Sequence, residues 1–163
     1  LKTYAFHYQT GELIPEELVA KINKAGTFNQ GFVQTELLSA SILDMDYHKM
    51  TTTEPFDVNA FEAESMKKMH MIPEIITRYR PTFYNHIFTT GYAAGYYSYT
   101  WAAVLDADAF AAFKETGDIF NPEMAKKFAR LLEQGGTRDA ALVYQEFRGK
   151  DADPIHHMKR CGF

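Results

Sequence analysis

The sequence predicts an all-α fold of about seven helices packed around a tyrosine-rich one. Three observations predict it. Apolar residues recur at helical spacing, as in Phe28, Phe32, Leu38, Ile42 and Met45. Segment boundaries carry helix punctuation, with Asn121-Pro122-Glu123 opening one run and Gly135-Gly136 closing it. From Tyr92 the chain is rich in alanine and free of proline until Pro122.

The elements follow in order. Leu1 to Tyr8 reads as the end of a helix that stops at Thr10-Gly11, so the chain is expected to be a piece of a larger protein. His7 within it reads as a packed or surface residue rather than a metal ligand. Pro15-Glu16-Glu17 starts a short helix, since proline suits the first turn and acids oppose the positive dipole end. It runs through Leu18, Val19 and Ile22 to Ala25-Gly26. Thr27 is expected to cap the next helix, which continues to Met50. Asp44, Asp46 and His48 fall close together there. At i, i+2 and i+4 they do not converge on one ion, so they read as polar surface or as groups supporting a site from behind.

Asp57 to His70 reads as an amphipathic helix. Its Phe61, Glu62, Glu64, Lys67 and Lys68 predict a solvated, mixed-charge face, while Met66, Met69 and Met71 read as core filling. Arg78-Tyr79-Arg80-Pro81 follows. Arg78 and Arg80 can each bind a substrate carboxylate bidentately or serve a structural salt bridge. The tyrosine helix then extends from Tyr92 through Trp101, Val104, Leu105, Phe110 and Phe113 to Gly117. Being apolar on most sides, it is expected to be the most buried. Thr137-Arg138-Asp139 opens a helix that ends at Arg148-Gly149, and Asp153-Pro154 opens a last short one. There His157 and Cys161 share zinc-like spacing, but two ligands are too few for a structural site.

Bulk properties narrow the function. The 163 residues suffice for one ordinary core, so residues 1–163 read as a single helical region. The 46% apolar and 23% charged fractions are those of a globular chain. A net charge of −4 without a basic run argues against nucleic acid. No apolar stretch approaches the roughly 20 residues needed to span a bilayer, so no membrane role is expected. The single cysteine, Cys161, excludes an intrachain disulfide and suits a reducing, cytoplasmic compartment.

The stretch His86 to Trp101 carries the chemistry. On a continuous helix Tyr92, Tyr96 and Tyr99 sit at i, i+4 and i+7, so their phenols would share one face. That face reads either as packed aromatics or as a row of neutral donors aimed into a cleft, with His86 beside it. Composition alone favours packing.

The wording of the stretch, His-Ile-Phe-x-x-Gly-Tyr-Ala-Ala-Gly-Tyr-Tyr-x-Tyr-x-Trp, closely resembles the thimet-oligopeptidase-like zinc peptidases, nearest to their bacterial peptidyl-dipeptidase branch. Phe28 to His48 and Tyr144 to Lys150 match the same family in order, so the resemblance covers essentially the whole chain. It implies the C-terminal part of an enzyme that removes dipeptides from the C-termini of short peptides. In such an enzyme a His-Glu-x-x-His helix holds zinc, which activates water.

None of the six histidines begins that motif, so no metal is expected to bind this chain alone, and the zinc is expected in the remaining N-terminal part. The resemblance therefore implies a substrate-facing half-site, inactive by itself. Carried over by position, it implies catalytic roles for Tyr99 and Tyr96, with Tyr99 donating to the scissile carbonyl as it becomes an oxyanion. His86 and Tyr92, with Gly91, would bind the peptide near its C-terminal carboxylate. Thr89-Thr90-Gly91 is less glycine-rich than the family form, which predicts a less mobile loop. Two rivals stand beside this reading: an endo-acting oligopeptidase of the same family, and a helical module that binds peptide without cutting it.

Overall fold

A computed structural model describes residues 1–89 and 91–163. The loop residue Thr90 lies outside the described residues, and with it part of the expectation for Thr89-Thr90-Gly91. The described chain is all-α. Its helices are α1 (Glu16–Ala25), α2 (Gln30–His48), α3 (Val58–Lys68), a single turn α4 (Asn85–Phe88), α5 (Ser98–Glu115), α6 (Pro122–Glu133), α7 (Ala140–Arg148) and α8 (Ile155–Cys161). A 3-10 turn at Pro81–Phe83 leads into α4.

Most boundaries follow local chemistry. Asp57 caps α3 by accepting from Asn59 and Ala60, Asn121 caps α6 ahead of Pro122, and Asp139 caps α7 by accepting from Ala141 and Leu142. Gly149 closes α7 at φ 79°, a left-handed position that glycine takes without steric cost.

Three boundaries depart from expectation. Leu1 to Tyr8 is not a helix end: Gly11 turns the chain at φ 71°, and Phe6 and Leu13 form an isolated antiparallel bridge. His7 serves this turn, its Nδ1 accepting from the Thr10 N–H at 3.2 Å. Thr27 does not cap α2, because two turn residues intervene and the one preceding the helix is Asn29 in the left-handed region. The third departure matters most. The helix expected from Tyr92 begins only at Ser98, and Tyr92 to Tyr97 form turns with Ala94 at φ 54°.

Burial divides between two cores. One gathers Ala40 and Leu43 of α2, Met66 of α3, and Tyr84, Ile87 and Tyr96 from the loop region, with Met69 and Met71 packed against it. The other joins Ala109 and Ala112 of α5 to Tyr144 and Phe147 of α7, with Phe128 and Leu131 of α6 beside them. The burial of α5 thus lies in its C-terminal half, whose alanines allow close approach of α8. Its aromatic N-terminal half is open: Tyr99 is 52% and Trp101 58% exposed.

A buried ion pair fastens the second core. Asp108 of α5, fully enclosed, accepts from the Tyr144 phenol at 2.6 Å and from Arg148 Nε at 3.0 Å. His156 Nε2 of α8 lies 3.4 Å from its other oxygen. Burial opposes the charge on Asp108, but these two donors outweigh it and hold the carboxyl below its ordinary value.

Candidate functional site

The loop between α4 and α5 and the first turns of α5 enclose a cleft of about 250 Å³. His86, Tyr92, Gly95, Tyr96, Ser98, Tyr99 and Ala102 line it. Four polar side chains singled out in the sequence, His86, Tyr92, Tyr96 and Tyr99, therefore meet at one concavity. They do so by another route than the sequence suggested. A shared helix face would have set the three phenols in a row, whereas the turn at Ala94 and Gly95 wraps Tyr92 round to line the same cleft as Tyr99. Gly95 keeps this turn tight, since a Cβ there would press on the Tyr92 carbonyl oxygen at 3.1 Å.

The phenols differ in setting. Tyr92 and Tyr99 are more than half exposed, free to meet a ligand, while Tyr96 is 3% exposed. Its ring lies edge-on to Tyr84, Tyr79 and His86 at 5.3, 5.9 and 5.7 Å. Burial, reinforced by a hydrogen bond with Tyr79, pushes the Tyr96 phenol up to about 12. It is a neutral donor near pH 7. Tyr99 packs against it with ring centroids 5.0 Å apart.

The two arginines have carboxylate partners within the chain. Arg78 Nη1 donates to Glu36 Oε2 at 2.8 Å, and its guanidinium lies 5.6 Å from the Tyr79 ring centroid. The hydrogen bond to Tyr79, opposed by burial and aided by Tyr96 and Glu36, keeps Arg78 above its ordinary value. Arg80 Nε donates to Glu62 Oε2 at 3.1 Å, and its Nη2 to Asn59 at 3.2 Å. Neither arginine lines the cleft. Glu62 corrects the solvated-face expectation for α3: it is 5% exposed and accepts from Thr77 as well as Arg80. Gly91 is exposed and is not among the lining residues either.

The sequence reading misses Tyr79 and leaves Asp44 open between surface and support. Tyr79 stacks on Tyr84 with centroids 5.1 Å apart and lies 5.0 Å from His86, forming the aromatic wall behind the cleft. Asp44, read as surface or support, is completely enclosed and receives backbone N–H groups from Ala94 and Tyr96, each at 2.9 Å. A signal for Asp44 existed: with Leu37 and Ala40 it continues an i, i+3, i+7 stripe on the apolar side of α2. The neighbouring Asp46 instead accepts from Ser65 and pairs with Lys49.

A larger hollow of about 840 Å³ opens between α5, α6 and α7, lined chiefly by Phe110, Phe113, Phe128, Leu131 and Leu132. It is an extension of the second core and brings no cluster of donors together. The smaller cleft, where the four polar side chains meet, is the candidate site. Among the described residues no group of three or more His, Cys, Asp or Glu is placed to hold a metal ion.

The sequence model of peptidase family M3 matches residues 1–163. The chain belongs to that family. It is 39% identical to a dipeptidyl carboxypeptidase of Escherichia coli over 149 residues, which are 90% of the chain and 22% of that protein. It is 37% identical to an organellar oligopeptidase A of Arabidopsis thaliana over 167 aligned residues, 99% of the chain and 21% of that protein. To an oligopeptidase A of Haemophilus influenzae the identity is 36%, over 89% of the chain and 21% of the relative. The chain thus spans about a fifth of the length of these curated relatives. Among the described residues no helix is long and apolar enough to cross a membrane.

Proposed function

We propose that this chain is the substrate-facing part of an M3 peptidase that releases dipeptides from the C-termini of short peptides. The zinc and its His-Glu-x-x-His ligands belong, in this reading, to the rest of the protein, and no step below is routed through the metal. One observation carries the proposal: four donor side chains converge on a single cleft, and at least one of them, Tyr96, is a neutral donor. A neutral O–H can stabilise charge developing on a carbonyl oxygen without first attracting a counter-ion.

In the mechanism Tyr99 donates to the scissile carbonyl as it acquires negative charge. Tyr96 backs the Tyr99 ring and keeps its phenol in register. His86 and Tyr92, across the cleft, hold the peptide near its free carboxylate. Arg78 is a candidate for that carboxylate only if it exchanges Glu36 for substrate, which its half-exposed position permits. The structural role of Arg80 with Glu62 is the stronger one. Membership among dipeptidyl carboxypeptidase relatives supports the dipeptide reading, and the single cysteine supports a cytoplasmic location.

The surface supports incorporation into a larger catalytic domain. The chain exposes 11587 Å². A compact monomer of 18.6 kDa would expose about 8,200 Å². Phe28, Phe120 and Leu132, at 81%, 82% and 63% exposed, are among the residues left open. Similar identity to oligopeptidases A keeps an endo-acting enzyme as the second reading.

The test is kinetic. In the full-length protein, Tyr99→Phe is expected to lower kcat about 10²- to 10³-fold, the value of one oxyanion donor, while leaving the fold intact. Turnover near that of the wild type would sink the role of Tyr99. Peptides with free and amidated C-termini separate the two readings, since only a carboxylate-reading enzyme discriminates strongly between them.

A further inference from the structure

The loop from Tyr92 to Tyr97 poses a physical question. Its sequence, Tyr-Ala-Ala-Gly-Tyr-Tyr, continues directly into α5 and has the alanine content of a helix, yet it is not helical. Something must withdraw its N–H groups from the helical ladder and stabilise Ala94 at φ 54°, a region that L side chains avoid.

Asp44 does both. Its Oδ1 accepts from the Ala94 N–H and its Oδ2 from the Tyr96 N–H, at 2.9 Å each, so one carboxylate grips two alternate amides of the turn. His48 Nδ1 lies 2.8 Å from Oδ1, on the same face of α2. The carboxylate is fully enclosed, which strengthens these charge-assisted bonds and leaves no water to replace them. Asp46, two residues on, faces Ser65 and Lys49 instead.

Building on the cleft reading above, we infer that Asp44 is a positioning residue for substrate binding. It acts through the Ala94 and Tyr96 amides. By holding the loop out of the helix, it sets Tyr92 on the same cleft as His86 and Tyr99. Without it the turn is expected to lose its single ordered conformation, so that its amides open to solvent and Tyr92 is no longer held on the cleft shared with Tyr99.

The test uses the full-length peptidase. Asp44→Asn is nearly isosteric, but its amide nitrogen must confront one of the two N–H donors. Ala94→Pro breaks the same anchor from the loop side: it removes one N–H and forbids positive φ without substituting a residue of α2. Asp46→Asn removes a nearby charge as a control. Amide hydrogen exchange over residues 91–97 is measured beside kcat and KM for a short peptide with a free C-terminus.

Asp44→Asn and Ala94→Pro are each expected to accelerate exchange in that segment at least tenfold and to raise KM at least tenfold. Asp46→Asn should change neither. Tyr99→Phe should lower kcat without accelerating exchange. Unchanged exchange in both anchor variants would overturn the inference, as would accelerated exchange with KM unaltered. A raised KM in the anchor variants alongside normal kcat for Tyr99→Phe would refute the oxyanion role of Tyr99 and leave the anchor standing. If Asp44→Asn fails to fold, Ala94→Pro decides alone.

Discussion

Replacing Arg148 by methionine isolates the buried network that joins α5, α7 and α8. The Arg148 side chain is 7% exposed and Asp108 is fully enclosed, so the substitution strands a carboxylate beyond the reach of water. Removing one partner of such a pair costs about 3–5 kcal/mol. Asp108 keeps the Tyr144 phenol at 2.6 Å, which argues for the lower end. The second arm of Arg148 reaches Glu115, itself 54% exposed, and adds only about 0–1 kcal/mol. The expected loss is thus about 3 kcal/mol, or a fall in Tm of roughly 6–12 °C for a chain of this size.

Urea unfolding of the purified protein measures the loss directly. The double variant Asp108→Leu, Arg148→Met should recover most of it, because an apolar pair carries no stranded charge and Tyr144 retains the Leu105 carbonyl at 3.3 Å. Acid provides an independent check. The folded carboxyl of Asp108 lies below its ordinary value, so its contribution is complete above about pH 4 and is lost as pH falls through the folded pKa. That part of the acid limb should shrink in Arg148→Met. A cost below about 1 kcal/mol, the worth of an exposed pair, would refute the reasoning by showing that Asp108 is solvated.

Two further outcomes are expected from single substitutions. Tyr84→Phe removes a 1% exposed phenol that donates to the Ala40 carbonyl at 3.0 Å, and should cost about 1 kcal/mol by urea unfolding with the cleft intact. Asp57→Ala deletes the cap of α3 and should cost about 1 kcal/mol, visible also as faster amide exchange at Asn59 and Ala60; a neutral result would mean that solvent caps the helix equally well.

Helix existence, most caps and the family were legible in the sequence, because each rests on interactions among residues a few positions apart. Asn121-Pro122, Asp139 and Gly149 act on their own first or last turn, so local chemistry determined them. His86, Tyr92, Tyr96 and Tyr99, within fourteen consecutive residues, are singled out by the family resemblance of that stretch.

What the tertiary structure decided concerns partners far apart in the chain. Arg78 meets Glu36, Arg80 meets Glu62, and Arg148 meets Asp108, contacts that no periodicity encodes. The clearest case is the tyrosine segment. Its residues favour a helix from Tyr92, and local propensity is worth only a few tenths of a kcal/mol per residue. A buried carboxylate about fifty residues earlier, gripping two amides in a dry setting, outweighs that preference. Closeness in the chain therefore gathered the residues of the cleft, and a long-range contact to Asp44 accompanies the turn that departs from propensity.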